Sequence, residues 1–219
     1  MKEMRAQKQE QNENTFAFTK ENTERVKYHI AKYPEGRQAS AVLPLLDIAQ
    51  RQSGGWLPRA AIEAVADLLS MPVIRVFEVA SFYTMFNLKP VGQYHLQLCG
   101  TTPCWLRGSA ELKERCQKVL GIQEGEITPD GKFSLVEVEC LGACVNAPVV
   151  QINDDFFEDL TPDQFEKVLN DLQHDHPCHP GSQIGRHSSA PEGYTPEKEK
   201  QVKKSATKGK QGKGDADAG

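Results

Sequence analysis

YHLQLCGTTPC, residues 94–104, and FSLVEVECLGAC, residues 133–144, decide the fold of this chain. In each stretch, a run that contains regularly placed apolar residues leads into a pair of cysteines, which is typical of a β-strand that ends in a loop. The pairs are Cys99 with Cys104 and Cys140 with Cys144. The sequence therefore predicts two strands, each of which carries a pair of thiols at its end.

Paired thiols at this spacing are typical of a metal site. Four and three residues separate the partners within the two pairs, and 35 residues separate the pairs. Four thiolates suit a structural zinc ion or an iron–sulfur cluster, and the spacing alone leaves both open. Cysteines that merely fill a core are less favoured, because both pairs lie in glycine-containing loops. A thioredoxin-type dithiol is also less favoured, because neither pair has a two-residue separation.

Both cysteine loops contain residues that favour thiolate ligands. We expect Thr102 to cap a helix that continues to about Lys118, which places Cys104 in the first turn of that helix. Unpaired N–H groups and the helix dipole favour a thiolate there. Gly100 and Gly142 are small enough to let backbone N–H groups approach the sulfur atoms.

The whole sequence divides into four predicted parts. Residues 1–20 are polar and without periodicity, so we expect them to be disordered. Residues 21–90 contain short helical patterns and predict a small helical bundle. Residues 91–175 have the order strand, helix, strand, strand, strand, helix, which predicts an α/β layer. Residues 176–219 lose their apolar content and predict a disordered, Lys-rich tail. The predicted fold class is therefore α+β, with disordered termini.

Proline positions mark the predicted helices of the first half. An amphipathic stretch ends at Pro34, and a second helix runs from about Ser40 to Gln52. A third and a fourth helix open at Pro58 and Pro72, where a missing N–H group costs little.

Turn and cap residues mark the elements near the end of the α/β part. A hairpin is predicted from residues 148–152 and 156–158, which are separated by Asn153-Asp154-Asp155. The final helix is predicted to open with a capping box formed by Thr161 and Gln164.

The composition excludes several classes of protein. The chain has 219 residues and a net charge of −4, and it contains no run of 18 apolar residues that could span a membrane. Six cysteines are too sparse for a disulfide scaffold at this length. No G-x-G-x-x-G loop and no P-loop is present, so nothing suggests a nucleotide site. The Lys-rich end has no interleaved aromatic residues, which gives a nucleic-acid role little support.

A family resemblance lies in three motifs: VASFYTMF at residues 79–86, LCGTTPC at residues 98–104 and VECLGACVNAPVVQIND at residues 138–154. They closely resemble the 24 kDa subunits of respiratory complex I, the NADH:quinone oxidoreductase, and the resemblance extends from about residue 20 to about residue 188. It implies a helical N-terminal region joined to a thioredoxin-like domain with one binuclear [2Fe-2S] cluster. The cluster ligands that the resemblance assigns are Cys99, Cys104, Cys140 and Cys144, with each pair on one iron.

The resemblance also implies a role and partners. It implies a non-catalytic electron-transfer subunit that exchanges electrons with the FMN of a partner flavoprotein subunit, which binds NADH. Neighbouring iron–sulfur subunits are further implied partners, and the membrane is contacted only through the complex. Because residues 1–14 fit neither a secretory signal nor a mitochondrial presequence, we expect the cytoplasmic side of a bacterial inner membrane rather than the mitochondrial matrix.

Two alternative functions remain open at this point. One is the equivalent diaphorase-module subunit of an NAD-linked hydrogenase or formate dehydrogenase, which resembles this chain in its cysteine pattern. The other, from a different class, is a zinc-stabilised interaction module.

The remaining cysteines and a tryptophan have weaker signals. We expect Cys116 to belong to the core, because it shares the apolar spacing of its helix. His174, Cys178 and His179 have the composition of a metal-binding tract, but a second metal is not favoured in a segment where order fades. Trp105 either shields the metal or fills the core.

Overall fold

The computed structural model describes residues 15–191 and 193–194. The chain separates into two compact units. The first contains the chain up to His95 together with Ile122–Leu135, and the second contains Leu96–Gly121 and the chain from Val136 onward. The predicted boundary between the helical part and the α/β part, at residue 90, stays a prediction.

The helices of the first unit begin and end close to their predicted positions. They are α1 (Lys20–Ile30), α2 (Val42–Gln52), α3 (Arg59–Leu69) and α4 (Val73–Phe82). A short 3-10 helix, Gln38–Ala41, precedes α2. Pro58 and Pro72 occupy the N-cap positions of α3 and α4, where their missing N–H groups remove no helical hydrogen bond.

The core of the first unit is one cluster of buried apolar side chains. Each helix contributes to it, for example through Val26, Leu45, Val65 and Val76, which are at most 3% exposed. Gln50 is a buried polar residue of this unit, and its side-chain amide donates to the carbonyl of Met85 and accepts from the N–H of Asn87. The helices therefore share one core, although an independent helical bundle stays a prediction.

The prediction of N-terminal disorder over residues 1–20 extends too far along the chain. Phe16 and Phe18 stack edge to face at 5.0 Å and pack against the helical core. The side chain of Thr19 caps α1 by accepting from the N–H of Asn22. Two aromatic rings supply enough apolar surface to anchor this part of the segment. Residues 1–14 lie outside the described residues.

A five-stranded sheet carries the cysteine loops. Its strands are β1 (Tyr94–Cys99), β2 (Phe133–Val138), β3 (Val150–Ile152), β4 (Asp155–Glu158) and β5 (Gly181–Ser182), in the order β2-β1-β3-β4-β5. β1 with β3 and β3 with β4 pair antiparallel, whereas β4 with β5 pairs parallel. The helices of the second unit are α5 (Thr102–Leu106), α6 (Ser109–Leu120) and α7 (Pro162–Gln173).

Two local predictions in this part of the chain are confirmed. The hairpin forms between β3 and β4, and Asn153 takes the left-handed conformation in its turn, with φ of 55°. Helix α7 opens with the predicted capping box, because Thr161 accepts from the N–H of Gln164 and the Gln164 side chain accepts from the N–H of Thr161.

The helix predicted from Thr102 to about Lys118 is wrong as a single element. Gly108, with φ of 94°, separates α5 from α6 in a conformation that other residues seldom adopt. The N-cap of α5 is Thr101 rather than Thr102, so Cys104 is the third residue of a five-residue helix. Helix α6 ends at Leu120, close to the predicted end at about Lys118.

The predicted disorder from residue 176 onward also begins too early. β5 pairs with β4, and the guanidinium of Arg186 binds the carboxylate of Asp159. Polar contacts hold this segment. Its low apolar content therefore does not indicate disorder. The Lys-rich end from residue 195 onward lies outside the described residues.

Candidate metal centre

The four paired cysteines lie on short connections at the ends of β1 and β2. Cys99 is the last residue of β1, and Cys104 lies in α5 directly after it. Cys140 follows β2, and Cys144 begins the 3-10 helix that ends at Asn146. Each strand therefore positions one cysteine pair, as the sequence predicts.

The sulfur atoms within each pair are in contact. The Sγ atoms of Cys140 and Cys144 are 3.4 Å apart, and the thiol of Cys104 is hydrogen-bonded to that of Cys99. All four are free thiols. In the described part of the chain, no three or more His, Cys, Asp or Glu side chains are placed around a single point as ligands of one ion. The arrangement is two pairs.

Hydrogen bonds join one pair to the other. The hydroxyl of Thr101 is 3.2 Å from the sulfur of Cys99 and is also hydrogen-bonded to Cys140. The backbone N–H of Leu141 donates to the sulfur of Cys99. The structure therefore brings the four predicted site residues together. Thr101 is a site residue that sequence reasoning missed, and its only signal is a hydroxyl two positions after a cysteine.

The two pairs differ in exposure. Cys99 and Cys104 are each 2% exposed and pack against Ala147 and Val149. Cys140 and Cys144 are exposed. One side of the site is thus embedded in the second unit, and the other side faces outward.

The hydrogen bond between Cys99 and Cys104 shifts the pKa values of the two thiols in opposite directions. Burial acts to raise the pKa of Cys99, but hydrogen bonds from Thr101 and from the N–H of Leu141 lower it below its ordinary value. Burial and the bond to Cys99 raise the pKa of Cys104 to about 12. The expectation that Cys104 ionises readily is therefore wrong for the metal-free chain, because a five-residue helix offsets little of its burial.

The pKa values of the exposed pair, Cys140 and Cys144, are also shifted in opposite directions. The backbone N–H of Gly142 and the thiol of Cys144 lower the pKa of Cys140. The bond to Cys140 raises the pKa of Cys144. In each pair one thiol has a lowered pKa and the other a raised pKa, and a metal that binds a pair displaces the thiol protons.

The two loop glycines act differently from each other. Gly142 behaves as predicted, since its N–H donates to the sulfur of Cys140. The N–H of Gly100 itself donates to the carbonyl of Val138 at 3.3 Å, and the N–H of the next residue, Thr101, donates to the sulfur of Cys99. The carboxylate of Glu137 fills the space where a Cβ of residue 100 would lie. Glu137 in turn pairs with Lys113 at 2.6 Å, which places an acidic side chain beside the cysteine loop.

Residues 26–173 match the sequence pattern of the thioredoxin-like [2Fe-2S] ferredoxins. The chain belongs to this family. The ferredoxins of this family carry a [2Fe-2S] cluster, and the donor set of this chain fits one: four cysteine sulfurs in two pairs. Backbone N–H groups of Leu141, Gly142 and Val149 are aimed at these sulfurs and stabilise their negative charge.

Known relatives of this ferredoxin include respiratory proteins. It is 60% identical over 160 residues to a subunit of the NADH-quinone oxidoreductase of Rickettsia bellii (strain RML369-C), and the match covers 73% of this chain and 96% of that protein. It is 50% identical over 189 residues to the mitochondrial NADH dehydrogenase [ubiquinone] flavoprotein 2 of Dictyostelium discoideum, over 85% of this chain and 76% of that protein.

A solved structure supports the fold alone. The ferredoxin superposes on a chain of an NAD+-reducing [NiFe]-hydrogenase in the H2-reduced state with a TM-score of 0.54 and 24% identity. The match covers 61% of this chain and 23% of the hydrogenase chain.

The remaining cysteines and Trp105 lie outside the centre of the site. Cys116 is fully buried, as predicted, and burial raises its pKa to about 12. Trp105 is 61% exposed, so it does not fill the core of this ferredoxin. The thiol of Cys178 faces the carbonyl of Val168, and the ring of His174 stacks on that of its neighbour His176.

Proposed function

We propose that this chain is an iron–sulfur electron-transfer subunit of the NADH-oxidising module of an NADH:quinone oxidoreductase. The observation that carries the proposal is the 60% identity to the Rickettsia bellii protein over 96% of that protein's length. In this proposal Cys99, Cys104, Cys140 and Cys144 hold the cluster, and each contacting pair binds one iron. The chain passes electrons between its partners and performs no catalysis of its own.

The proposed electron partner is the flavoprotein subunit of the same module, whose FMN accepts electrons from NADH. The side of the site that holds the exposed pair, Cys140 and Cys144, supports a protein partner. Three large apolar side chains within two residues of Cys104 or Cys144 are exposed: Trp105 at 61%, Leu106 at 70% and Val145 at 64%. Apolar and aromatic side chains exposed beside a redox centre are typical of an interface core.

The first unit also has exposed apolar side chains that support neighbouring subunits. Ile74, Phe77, Phe82 and Met85, on and after α4, are 45–76% exposed. Phe82 and Met85 lie in the motif VASFYTMF. We propose that other subunits of the complex, including iron–sulfur subunits, cover this surface.

The proposed location is peripheral, on the cytoplasmic side of a bacterial inner membrane. In residues 15–191 and 193–194, no helix combines the length and the apolar composition needed to cross a membrane. Contact with the membrane would then be made by other subunits, and no nucleic acid is part of the proposal.

Serine variants of the full chain test the ligand assignment. Cys104→Ser and Cys144→Ser should each weaken or abolish the visible absorbance and the EPR signal of the cluster. Cys116→Ser is the matched control and should leave both unchanged, because that thiol is buried in the core. If Cys116→Ser bleached the protein and Cys144→Ser did not, the ligand assignment would be wrong.

A related assignment, as a subunit of an NAD-linked hydrogenase or formate dehydrogenase, is less well supported. The similarity to the hydrogenase chain is 24% in sequence and concerns the fold. Proteins that co-purify with the chain separate the two assignments. Components of a quinone reductase support the proposal, whereas a [NiFe] component contradicts it.

A further inference from the structure

The segment after α7 is attached to the second unit by polar contacts. We call residues 181–190 the C-terminal strap. Its first residues form β5, and the N–H of Gln183 donates to the carbonyl of Glu158 at 2.9 Å. The strap lies beyond residue 173, where the match to the family pattern ends.

Arg186 is the centre of the strap's contacts. Its guanidinium makes a bidentate contact with the carboxylate of Asp159, with N–O distances of 2.8–3.2 Å. The side chains of the pair are 11% and 2% exposed. The same guanidinium donates to the carbonyl of Ala190, and the hydroxyl of Ser182 donates to Asp159 at 2.7 Å. These bonds close the strap into a fixed turn.

The strap contacts the cysteine loop through Asn146, two residues after Cys144. The Nδ2 of Asn146 donates to the carbonyl of Ser188 at 2.9 Å and to the carboxylate of Glu158 at 2.6 Å. Its backbone carbonyl accepts from the N–H of Asp159 at 2.7 Å. Arg186 therefore holds two of these three partners. It holds the carbonyl of Ser188 through the turn of the strap, and it holds Asp159 through the ion pair.

The position of Asn146 depends on these bonds. The side chain is buried, and its Oδ1 has no hydrogen-bond partner among the described residues. An unpaired buried amide oxygen costs free energy, so the bonds that Nδ2 donates must outweigh that cost. Losing the Ser188 carbonyl would leave Asn146, and the short 3-10 helix that it ends, with fewer restraints.

We propose that Arg186 is a positioning residue for the exposed cysteine pair. By holding the strap and Asp159, it keeps Asn146 in place, and Asn146 keeps Cys144 beside Cys140. The proposal rests on the ligand assignment made above. Its consequence is that the ion pair between Arg186 and Asp159 sets how firmly the exposed half of the site is held.

Three variants of the full, cluster-loaded chain test this proposal. Arg186→Gln removes the ion pair, Asn146→Ala removes the link to the strap, and the third variant combines both. The readout is the rate of bleaching in EDTA. Because Asp159 would be left as an uncompensated buried charge, we expect Arg186→Gln to bleach about tenfold faster or more. We expect Asn146→Ala to bleach faster as well, and the double variant to bleach no faster than the quicker single variant.

A second readout separates positioning from general stability. Hydrogen exchange of the metal-free chain should become faster in residues 143–147 of Arg186→Gln, while α7 keeps its protection. The matched control is Arg115→Gln, which removes the contacts of Arg115 with Glu166 and Asp163 in the same unit. The control should change neither the bleaching rate nor the exchange of residues 143–147.

The outcomes distinguish failure of this inference from failure of the proposed function. If Cys144→Ser left the cluster intact, the ligand assignment would fail. If Cys144→Ser removed the cluster but Arg186→Gln bleached at the wild-type rate, the positioning role would fail. The role would also fail if the effects of the two single variants multiplied, or if protection fell equally throughout the chain. If Arg186→Gln did not fold, Asn146→Ala would decide by the same two readouts, because it leaves the Arg186–Asp159 ion pair in place.

Discussion

At the scale of single residues, Thr101 and Glu137 contact the loop that carries Cys99 and Cys104. The hydroxyl of Thr101 is hydrogen-bonded to a sulfur of each pair. The carboxylate of Glu137 occupies the space above Gly100 and binds Lys113. The cysteine loop is thus packed around a hydroxyl and an acidic side chain, neither of which the spacing of the cysteines reveals.

The space above Gly100 gives a testable prediction. Gly100→Ala should displace the Glu137 side chain and break its ion pair with Lys113, both of which are flexible. We expect a loss of about 1 kcal/mol or less in the free energy of unfolding, because the pair is partly exposed. Urea unfolding measures it. The control is the double variant Gly100→Ala with Glu137→Ala, which should be as stable as Glu137→Ala alone. If Gly100→Ala lowered the free energy of unfolding as much in the Glu137→Ala protein as in the wild type, the explanation would be wrong.

His95 gives a prediction for the pH dependence of stability. Burial lowers its pKa from 6.5 to about 4, and its Nδ1 is 2.8 Å from the hydroxyl of Ser134. Between these two pH values the unfolded chain binds a proton that the folded chain does not. The free energy of unfolding should therefore fall as the pH decreases through this window, by at most about 1.4 kcal/mol per pH unit from this residue.

The variant His95→Gln tests that prediction. Urea unfolding of both proteins between pH 6.5 and pH 4.5 should give a shallower loss of stability in the variant. Equal slopes would show that His95 does not contribute.

At the scale of elements, the strands and helix caps follow from local sequence, whereas the partners of the cysteine loops do not. The capping box of α7 and the hairpin turn at Asn153 depend on residues within a few positions, and both were predicted. The pairing of Arg186 with Asp159 joins residues 27 positions apart. No periodicity in the sequence signals such a contact, so the strap was mistaken for part of a disordered tail.

The cap of α7 can be tested directly. Thr161→Ala removes the hydroxyl that accepts from the N–H of Gln164, and we expect a loss of about 1 kcal/mol in the free energy of unfolding. Thr161→Ser keeps the hydroxyl and is the matched control. Urea unfolding measures both, and an alanine variant as stable as the serine variant would contradict the role of the cap.

At the scale of the whole molecule, the cysteine site and the chain termini differ in how far sequence predicts them. The position of each cysteine pair after a strand is predicted correctly, because the pattern of both strands is strong. The ordered parts of the termini were missed, because Phe16, Phe18 and Arg186 act through distant partners. The raised pKa of Cys104 in the metal-free chain was not predicted, since burial depends on the folded core.

Two truncated proteins test whether the strap slows bleaching of the cluster. Removal of residues 195–219 should leave the visible spectrum and the bleaching rate in EDTA unchanged. Removal of residues 181–219 also removes the strap, and we expect bleaching to become about tenfold faster or more, as in Arg186→Gln. Equal rates in the two truncated proteins would contradict a contribution of the strap.

The most direct test of the central claim is EPR of the reduced, anaerobically purified full chain, combined with analysis of iron, sulfide and zinc. A [2Fe-2S] electron carrier predicts a red-brown protein with iron and acid-labile sulfide in equal amounts and a rhombic signal on reduction. A colourless protein that holds one zinc ion, without sulfide and without a signal, would contradict it.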